Sequence, residues 1–453
     1  MTWNRMTSGL PLVLAALALA GCRGEDISFD CENQAMAFLE RQADESPPLV
    51  APIPEDGPVP VAVSLTEEGV NRLLKAVISE NATPFAGDIP IITANASFMP
   101  EGDPTIEFGS VNGCPHCVLM NVDFGITLTN NNEPLSSGVG DVQLSVPLFL
   151  ESDEATGTTT LYADYSKTTI EDMYLQVFGF DSDEHTSLAG ALQVLLQERV
   201  QENFEPIELL SIGSWTIGNG DVKLLAKDVV VYPNEDKLIL AMRTNLTLSN
   251  NAHLDLRAVH PSLPVGDTTI VPPMAVTMHP ELFQAMSHRM LVEGQIPQRY
   301  NENGDPDEGG AYAVTLNSMV GNAAGLSRLD SRFRVWRIQD GYCGWAEADL
   351  PLLLEIDTAR KGFGVTPGEA ALVEDDNCEG SGCVAKEEEQ IVEENEDLIT
   401  NFKTSLADQV DQTINYDQIN LEGNTIVFGV VDLVVSPDAI NNYLDFTVVK
   451  TAE

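Results

Sequence analysis

Apolar residues at every second position mark the first element: Val59, Val61, Val63 and Leu65 predict a strand. Val70, Leu73, Leu74, Val77 and Ile78 then recur at helical spacing and predict an amphipathic helix, with Ser64 and Glu67 placed to form a capping box. Two long alternating runs follow, from Val118 to Leu128 and from Val142 to Leu150. The turn-rich stretch 129–140 joins them as a hairpin. Strand-like sequence continues through 161–180. A helix at about 186–204 carries Leu188, Leu192, Leu195 and Leu196 on one side, and strands close the unit around 221–248.

The same order then returns. Met274, Val276 and Met278 alternate as an entering strand. Thr277 or His279 caps a helix with Pro280 in its first turn, where proline is favoured. Its apolar face holds Leu282, Phe283, Met286 and Met290, and Gly294 stops it. Strands are predicted at about 311–316, 332–339 and 345–356, and 357–384 reads as loop. A long helix at about 387–414 turns Ile399, Phe402, Leu406 and Val410 inward, and its acidic start suits the positive end of a helix dipole. Strands at 425–435 and 443–450 finish the chain.

The recurrence extends to residues. At an offset of 213, Pro60, Ala62, Val63 and Glu68 match Pro273, Ala275, Val276 and Glu281 without a gap. At an offset of 204, Asp228-Val-Val-Val-Tyr-Pro lines up with Asp432-Leu-Val-Val-Ser-Pro. Two echoes in one order predict a duplicated domain, because a solenoid repeats at a far shorter period. The expected units are 59–255 and 268–453, with a junction at 249–270. The fold class expected is α+β.

The N-terminus reads as a targeting segment. An apolar stretch from Leu10 to Ala20 is too short to span a bilayer and fits a secretory signal. It ends in Leu19-Ala20-Gly21-Cys22, which resembles the bacterial lipobox. That resemblance implies a signal peptide at 1–21 and a lipid on Cys22, which anchors the chain to a membrane. By similarity to enteric lipoproteins, Arg23 after Cys22 implies sorting to the outer membrane. Whether the anchor faces the periplasm or the outside stays open. Residues 22–58 would form the lipidated segment and a stiff linker, with six prolines between 46 and 60.

Charge narrows the partners. Seventy acidic residues against 23 basic ones give a net charge of −47, which repels a phosphate backbone and argues against nucleic acid. A solvated acidic surface is the plainer account of that charge than a cation-binding role. Apolar content of 43% is that of a globular chain. Beyond Cys22 there are six cysteines, Cys31, Cys114, Cys117, Cys343, Cys378 and Cys383, and an even number in an exported chain predicts disulfides. Pairs 114–117, 378–383 and 31–343 are one connectivity; 343 with 378 or 383 is another.

A strand running into Ser64-Leu-Thr-Glu-Glu-Gly-Val-Asn-Arg-Leu-Leu74, then long strands, a long amphipathic helix and a final hairpin, twice over, resembles the tubular lipid-binding superfamily. The tandem arrangement is similar to the bactericidal/permeability-increasing and lipid-transfer proteins. The resemblance covers about 55–450 and is one of order and pattern. It implies two related domains, each a long curved antiparallel sheet wrapped around a long amphipathic helix, with an apolar tunnel for acyl chains. Lining candidates are then Val70, Leu73, Leu74, Val77, Leu192, Leu195, Phe283, Met286, Met290, Phe402 and Leu406. For any one of them, packing in an ordinary core is the simpler role. The host-defence members are cationic and this chain is acidic, so endotoxin recognition does not carry over.

Other chemistry is sparse. Cys114-Pro-His-Cys117 matches the active-site letters of a thioredoxin-class oxidant, but the residues after it alternate as a strand, so the helix dipole that lowers a thiol pKa is missing. A structural disulfide at a strand entrance is the expected role, over redox or zinc chemistry. Residues 301–310 place oxygen ligands loosely as in a calcium loop, yet the twelfth position is Tyr312. No nucleophile elbow, zinc-protease pair or phosphate loop occurs, so neither catalysis nor a cofactor is expected. The expected function is a lipid-anchored envelope protein that binds or carries lipid in apolar tunnels. The alternatives are a surface lipoprotein binding protein or glycan, and a thiol-disulfide oxidoreductase.

Overall fold

The structure is a computed structural model that describes residues 48–78, 87–91, 94–109, 111, 113–130, 133–203, 205–212, 222–260, 262–265, 268–339, 342–357, 362–373, 395–414, 418–421 and 424–450. Residues 1–21, Cys22, Cys31, the helical pattern of 23–45, Cys378 and Cys383 lie outside the described residues. So do the side chains of Val77 and Cys343.

In the first half, β1 (Val61–Thr66) runs into helix α1 (Glu67–Ile78). There follow β2 (Gly87–Ile91), β3 (Ala94–Pro100), β4 (Thr105–Glu107), β5 (Cys117–Asn130), β6 (Glu133–Asp153), β7 (Thr158–Ala163) and β8 (Thr169–Val177). Helix α2 (Ser182–Asn203) precedes β9 (Ile207–Ile212), β10 (Leu224–Tyr232) and β11 (Lys237–Thr244). A small hairpin, β12 (Leu263–Val265) and β13 (Thr268–Ile270), leads to β14 (Met274–Met278) and helix α3 (Pro280–Val292). The second half continues through β15 (Arg299–Tyr300), β16 (Tyr312–Gly321), β17 (Arg328–Gln339), β18 (Tyr342–Asp357), β19 (Gly362–Pro367) and β20 (Ala371–Leu372). Helix α4 (Glu396–Ile414) and strands β21 (Gln418–Leu421), β22 (Asn424–Ser436) and β23 (Ala439–Lys450) end it.

Both halves build one central sheet, ordered β10-β11-β1-β14-β23-β22-β21. Apart from β21, the order reads the same from either end when β10, β11 and β1 are matched to β22, β23 and β14. Val63 faces Val276 across β1 and β14. These two residues are equivalent in the 213-residue repeat, so an approximate two-fold axis passes between them. Hydrogen bonds follow it: the Thr66 N–H donates to the Pro273 carbonyl at 3.0 Å, and the equivalent His279 N–H donates to the Pro60 carbonyl at 2.8 Å.

Side chains obey the same axis. The Asn71 amide accepts from the Ile106 N–H at 2.6 Å and donates to the Ile106 carbonyl at 2.9 Å. Its equivalent Gln284 accepts from the Met319 N–H at 3.2 Å and donates to the Asn317 carbonyl at 3.4 Å. Each amide fixes its helix to a strand of its own half. The stronger sequence echo therefore encodes the junction between halves. The weaker one encodes a β-bulge: the ladder slips between Ala226 and Asp228, and again between Val430 and Asp432.

Each half adds a curled antiparallel sheet, so the fold is α+β with curved sheets. The first is ordered β2-β3-β5-β6-β7-β9, with β4 on β5 and β8 on β6; the second is β15-β16-β17-β18-β19, with β20 on β18. Strand β6 is 21 residues long and pairs in turn with β5, β8 and β7. Helix α2 lies along β8, where Gln193 donates to the Ile170 carbonyl at 3.2 Å, and Gln201 donates to the Thr168 carbonyl just ahead of that strand at 2.9 Å. One apolar cluster runs through both halves, from Val61 to Phe446.

Several local expectations change. Thr66, not Ser64, caps α1, its hydroxyl accepting from the Gly69 N–H at 3.1 Å. Strand alternation turns Ser64 to the other face, and the Glu67 carboxylate accepts from the Phe108 N–H instead. His279 caps α3 through Nδ1. Most of 129–140 is strand, not turn. Gly138 is needed there because a Cβ would run into the Gln176 carbonyl of β8. The stretch 357–384 holds β19 and β20, not loop alone. From Pro48 onward the Pro-rich segment does not stand free: Val50 N–H donates to the Asn245 carbonyl at 2.8 Å, and Ile53 and Val59 are buried.

Candidate functional site

The interior between the helices and the inner faces of the sheets is the one large apolar environment among the described residues. Register and alternation define the inner face of the central sheet: Leu240, Val63, Val276 and Asn442 lie in one row across β11, β1, β14 and β23. Helix α1 turns Val70, Leu73 and Leu74 into this interior, and α3 contributes Phe283, Met286 and Met290. In the second half Phe402 and Leu406 of α4 are fully buried, with the Phe402 ring 5.1 Å from Phe333 of β17. In the first half Leu192 of α2 is fully buried while Leu195 is half-buried against the same cluster. Val194 beside them is 59% exposed, so α2 is less enclosed than α4. The structure thus gathers the lining candidates whose side chains it describes into one contiguous apolar cluster.

Two interior residues were not singled out from the sequence. Asn442 is fully buried, and neither its Nδ2 nor its Oδ1 has a hydrogen-bond partner among the described residues. Tyr300 is fully buried, its hydroxyl also lacks a partner, and burial pushes that hydroxyl's pKa well up. The signal for Asn442 was available: it is the polar member of the alternating run Ile440, Asn442, Leu444, Phe446.

The outer face of the central sheet holds a serine–histidine pair. The Ser64 hydroxyl and His260 Nδ1 are 2.7 Å apart, and His260 Nε2–H donates to the Pro272 carbonyl at 2.9 Å. Such a contact is how a base activates a nucleophile. Here Ser64 is fully buried, sealed beneath the 249–272 segment with Ala62, Ile239, Leu254 and Val259. Burial also lowers the His260 pKa to about 4. The pair locks the junction segment onto the sheet.

Cys114 and Cys117 form a disulfide that closes the turn entering β5. A strand follows Cys117, so no helix N-terminus lowers the thiol pKa. Replacing both cysteines with serine is expected to lower stability by about 2 kcal/mol, from the loop-closure entropy of so short a ring, measurable by urea unfolding. In the loop after β15, Asn301 Oδ1 accepts from the Asn303 and Asp305 N–H groups, and Asp307 Oδ1 accepts from that of Gly309. These oxygens shape the turn. Among the described residues no group of three His, Cys, Asp or Glu side chains has a metal-binding arrangement.

The face of β17 opposite Phe333 bears a cleft of about 450 Å³, lined by Arg328, Asp330, Arg332, Asp349, Pro351 and Glu369 among others. Four of its charges are paired: Arg328 with Asp330 at 2.8 Å and Arg332 with Asp349 at 2.7 Å. Further along the same face Arg334 stacks 3.7 Å over the Trp345 ring. Its Arg–Asp pairs make the cleft a poor seat for an acyl chain.

No family model and no curated protein matches the chain. Among solved structures it is similar to a lipopolysaccharide binding protein at 12% identity and a TM-score of 0.38, covering 88% of this chain and 100% of that one. It is similar also to P47 of Clostridium botulinum E1 at 13% identity and 0.46, covering 86% and 99%, and to P47 from Clostridium botulinum A2 at 10% and 0.40, covering 86% and 98%.

Proposed function

We propose that the chain is a non-catalytic lipid-binding or lipid-carrying protein of the bacterial cell envelope, tethered to the outer membrane through lipidated Cys22. In this reading residues 59–255 and 268–453 are two related units of tandem tubular lipid-binding type, each holding acyl chains between its helix and its curled sheet. The observation that supports it is the continuous apolar interior shared by both halves, flanked by helices at α1, α2, α3 and α4. Interiors lined mainly by hydrophobic side chains with a few polar groups are what hydrophobic ligands require.

Native mass spectrometry of the chain, gently extracted from membranes, is expected to show co-purified lipid, and the delipidated chain should take up a fluorescent fatty acyl probe. Repeated absence of both would end the proposal. A second reading, a surface module for protein or glycan, draws on the charged cleft and the Arg334–Trp345 stack. Glycan or protein capture that is lost in Trp345→Ala but unaffected by delipidation would favour it.

A further inference from the structure

We propose that the second half's interior selects a neutral acyl lipid bearing an ester and a free hydroxyl, of the acylglycerol class, with Asn442 as its polar contact. This rests on the lipid-binding reading above. A buried amide with neither donor nor acceptor satisfied is unfavourable, and each such group in a folded protein calls for a partner. Asn442 presents both kinds at one point. Its neighbours on the inner face are Val276 and Leu433 across the ladder and Ile440 and Leu444 along the strand, all apolar. The fold does not need an amide here, because the two-fold axis places Leu240 at the corresponding position of the first half.

Elsewhere in the second half the buried Tyr300 hydroxyl also has no partner among the described residues. A plain hydrocarbon would leave Asn442 unsatisfied. A charged head group would be worse, because the residues flanking Asn442 on the inner face are all apolar and an unpaired buried charge is costly. An ester carbonyl can accept from Nδ2 and a hydroxyl can donate to Oδ1, so one acylglycerol satisfies both atoms.

The test uses the full chain, delipidated, with a long-chain monoacylglycerol, the matching free fatty acid and the matching alkane as competitors of a fluorescent acyl probe. Wild type should bind the monoacylglycerol most tightly. Asn442→Leu should weaken that binding about tenfold, the equivalent of about 1.4 kcal/mol, and leave alkane binding unchanged or tighter. An unchanged monoacylglycerol affinity in Asn442→Leu overturns the inference, as does fatty acid outranking monoacylglycerol on wild type, a ranking that needs no variant. A crystal structure with ordered water on both Asn442 atoms and no ligand also overturns it. Binding of none of the three by wild type removes the lipid-binding reading itself, and this inference with it.

Discussion

Gly69→Leu, which installs the residue found at the equivalent position of the second half, is expected to destabilise the protein by about 3 kcal/mol. Helix propensity alone predicts the opposite, since leucine is favoured over glycine by nearly 1 kcal/mol in a helix. Contact decides the sign. A Cβ on Gly69 would fall far inside contact distance of the Pro273 carbonyl oxygen, and that atom is backbone. The same carbonyl accepts from the Thr66 N–H at 3.0 Å, so displacing it also loosens the bond that seats one half on the other. Overpacking costs about 1–3 kcal/mol and a lost hydrogen bond about 1 kcal/mol. Gly190 in α2 is the control: nothing lies within 4 Å of a Cβ there, so Gly190→Ala should stabilise by up to about 1 kcal/mol. Urea unfolding of the two variants should move in opposite directions. A neutral Gly69→Leu would show that the junction is not close-packed.

Acid should weaken the protein through His260. Burial beside Ser64 and the Tyr443 ring, with the Lys237 ammonium also opposing protonation, lowers the imidazole pKa to about 4 from 6.5, outweighing the hydrogen bond to the Pro272 carbonyl that favours protonation. Between those values the unfolded chain holds a proton that the folded chain does not, so stability falls as pH drops through the window and is unaffected above it. The full difference amounts to about 3 kcal/mol. Many carboxylates titrate nearby in pH, so the informative quantity is a difference. Wild type should lose about 3 kcal/mol more than His260→Asn between neutral pH and pH near 4. Asparagine tolerates the left-handed backbone at this position, where φ is 61°. Parallel pH profiles for the two proteins would mean that folding leaves the His260 pKa at its unfolded value.

Much of the architecture was legible because periodicity is a local signal. The alternation of Val61, Val63 and Leu65 and the helical spacing of Leu73 and Leu74 each report which face is buried, and both elements lie where those patterns place them. What a residue contacts across the chain was not legible. Ser64 reads as a cap because Glu67 stands three residues on, but its partner is His260, 196 positions away. Gly138 reads as a turn because glycine marks turns, yet the carbonyl that requires it belongs to Gln176. The glycine and leucine at positions 69 and 282 look like drift between copies, although position 69 is fixed by a backbone atom of the other half. The lining candidates were readable as apolar faces, whereas the amide of Asn442 gained meaning only once register set it beside Val276.

The central sheet also imposes a schedule on synthesis. β1 is among the first strands made, but its two neighbours are β11 and β14, residues 237–244 and 274–278. β14 in turn waits for β23 at 439–450. At ordinary elongation rates of about 5–20 residues per second, β1 remains without either partner for on the order of ten seconds or more. Throughout that interval an apolar strand is open on both edges, the condition in which chains pair with the wrong neighbour. The nascent chain therefore depends on shielding until its second half arrives, and interruptions of synthesis between β1 and β14 should be its most aggregation-prone products.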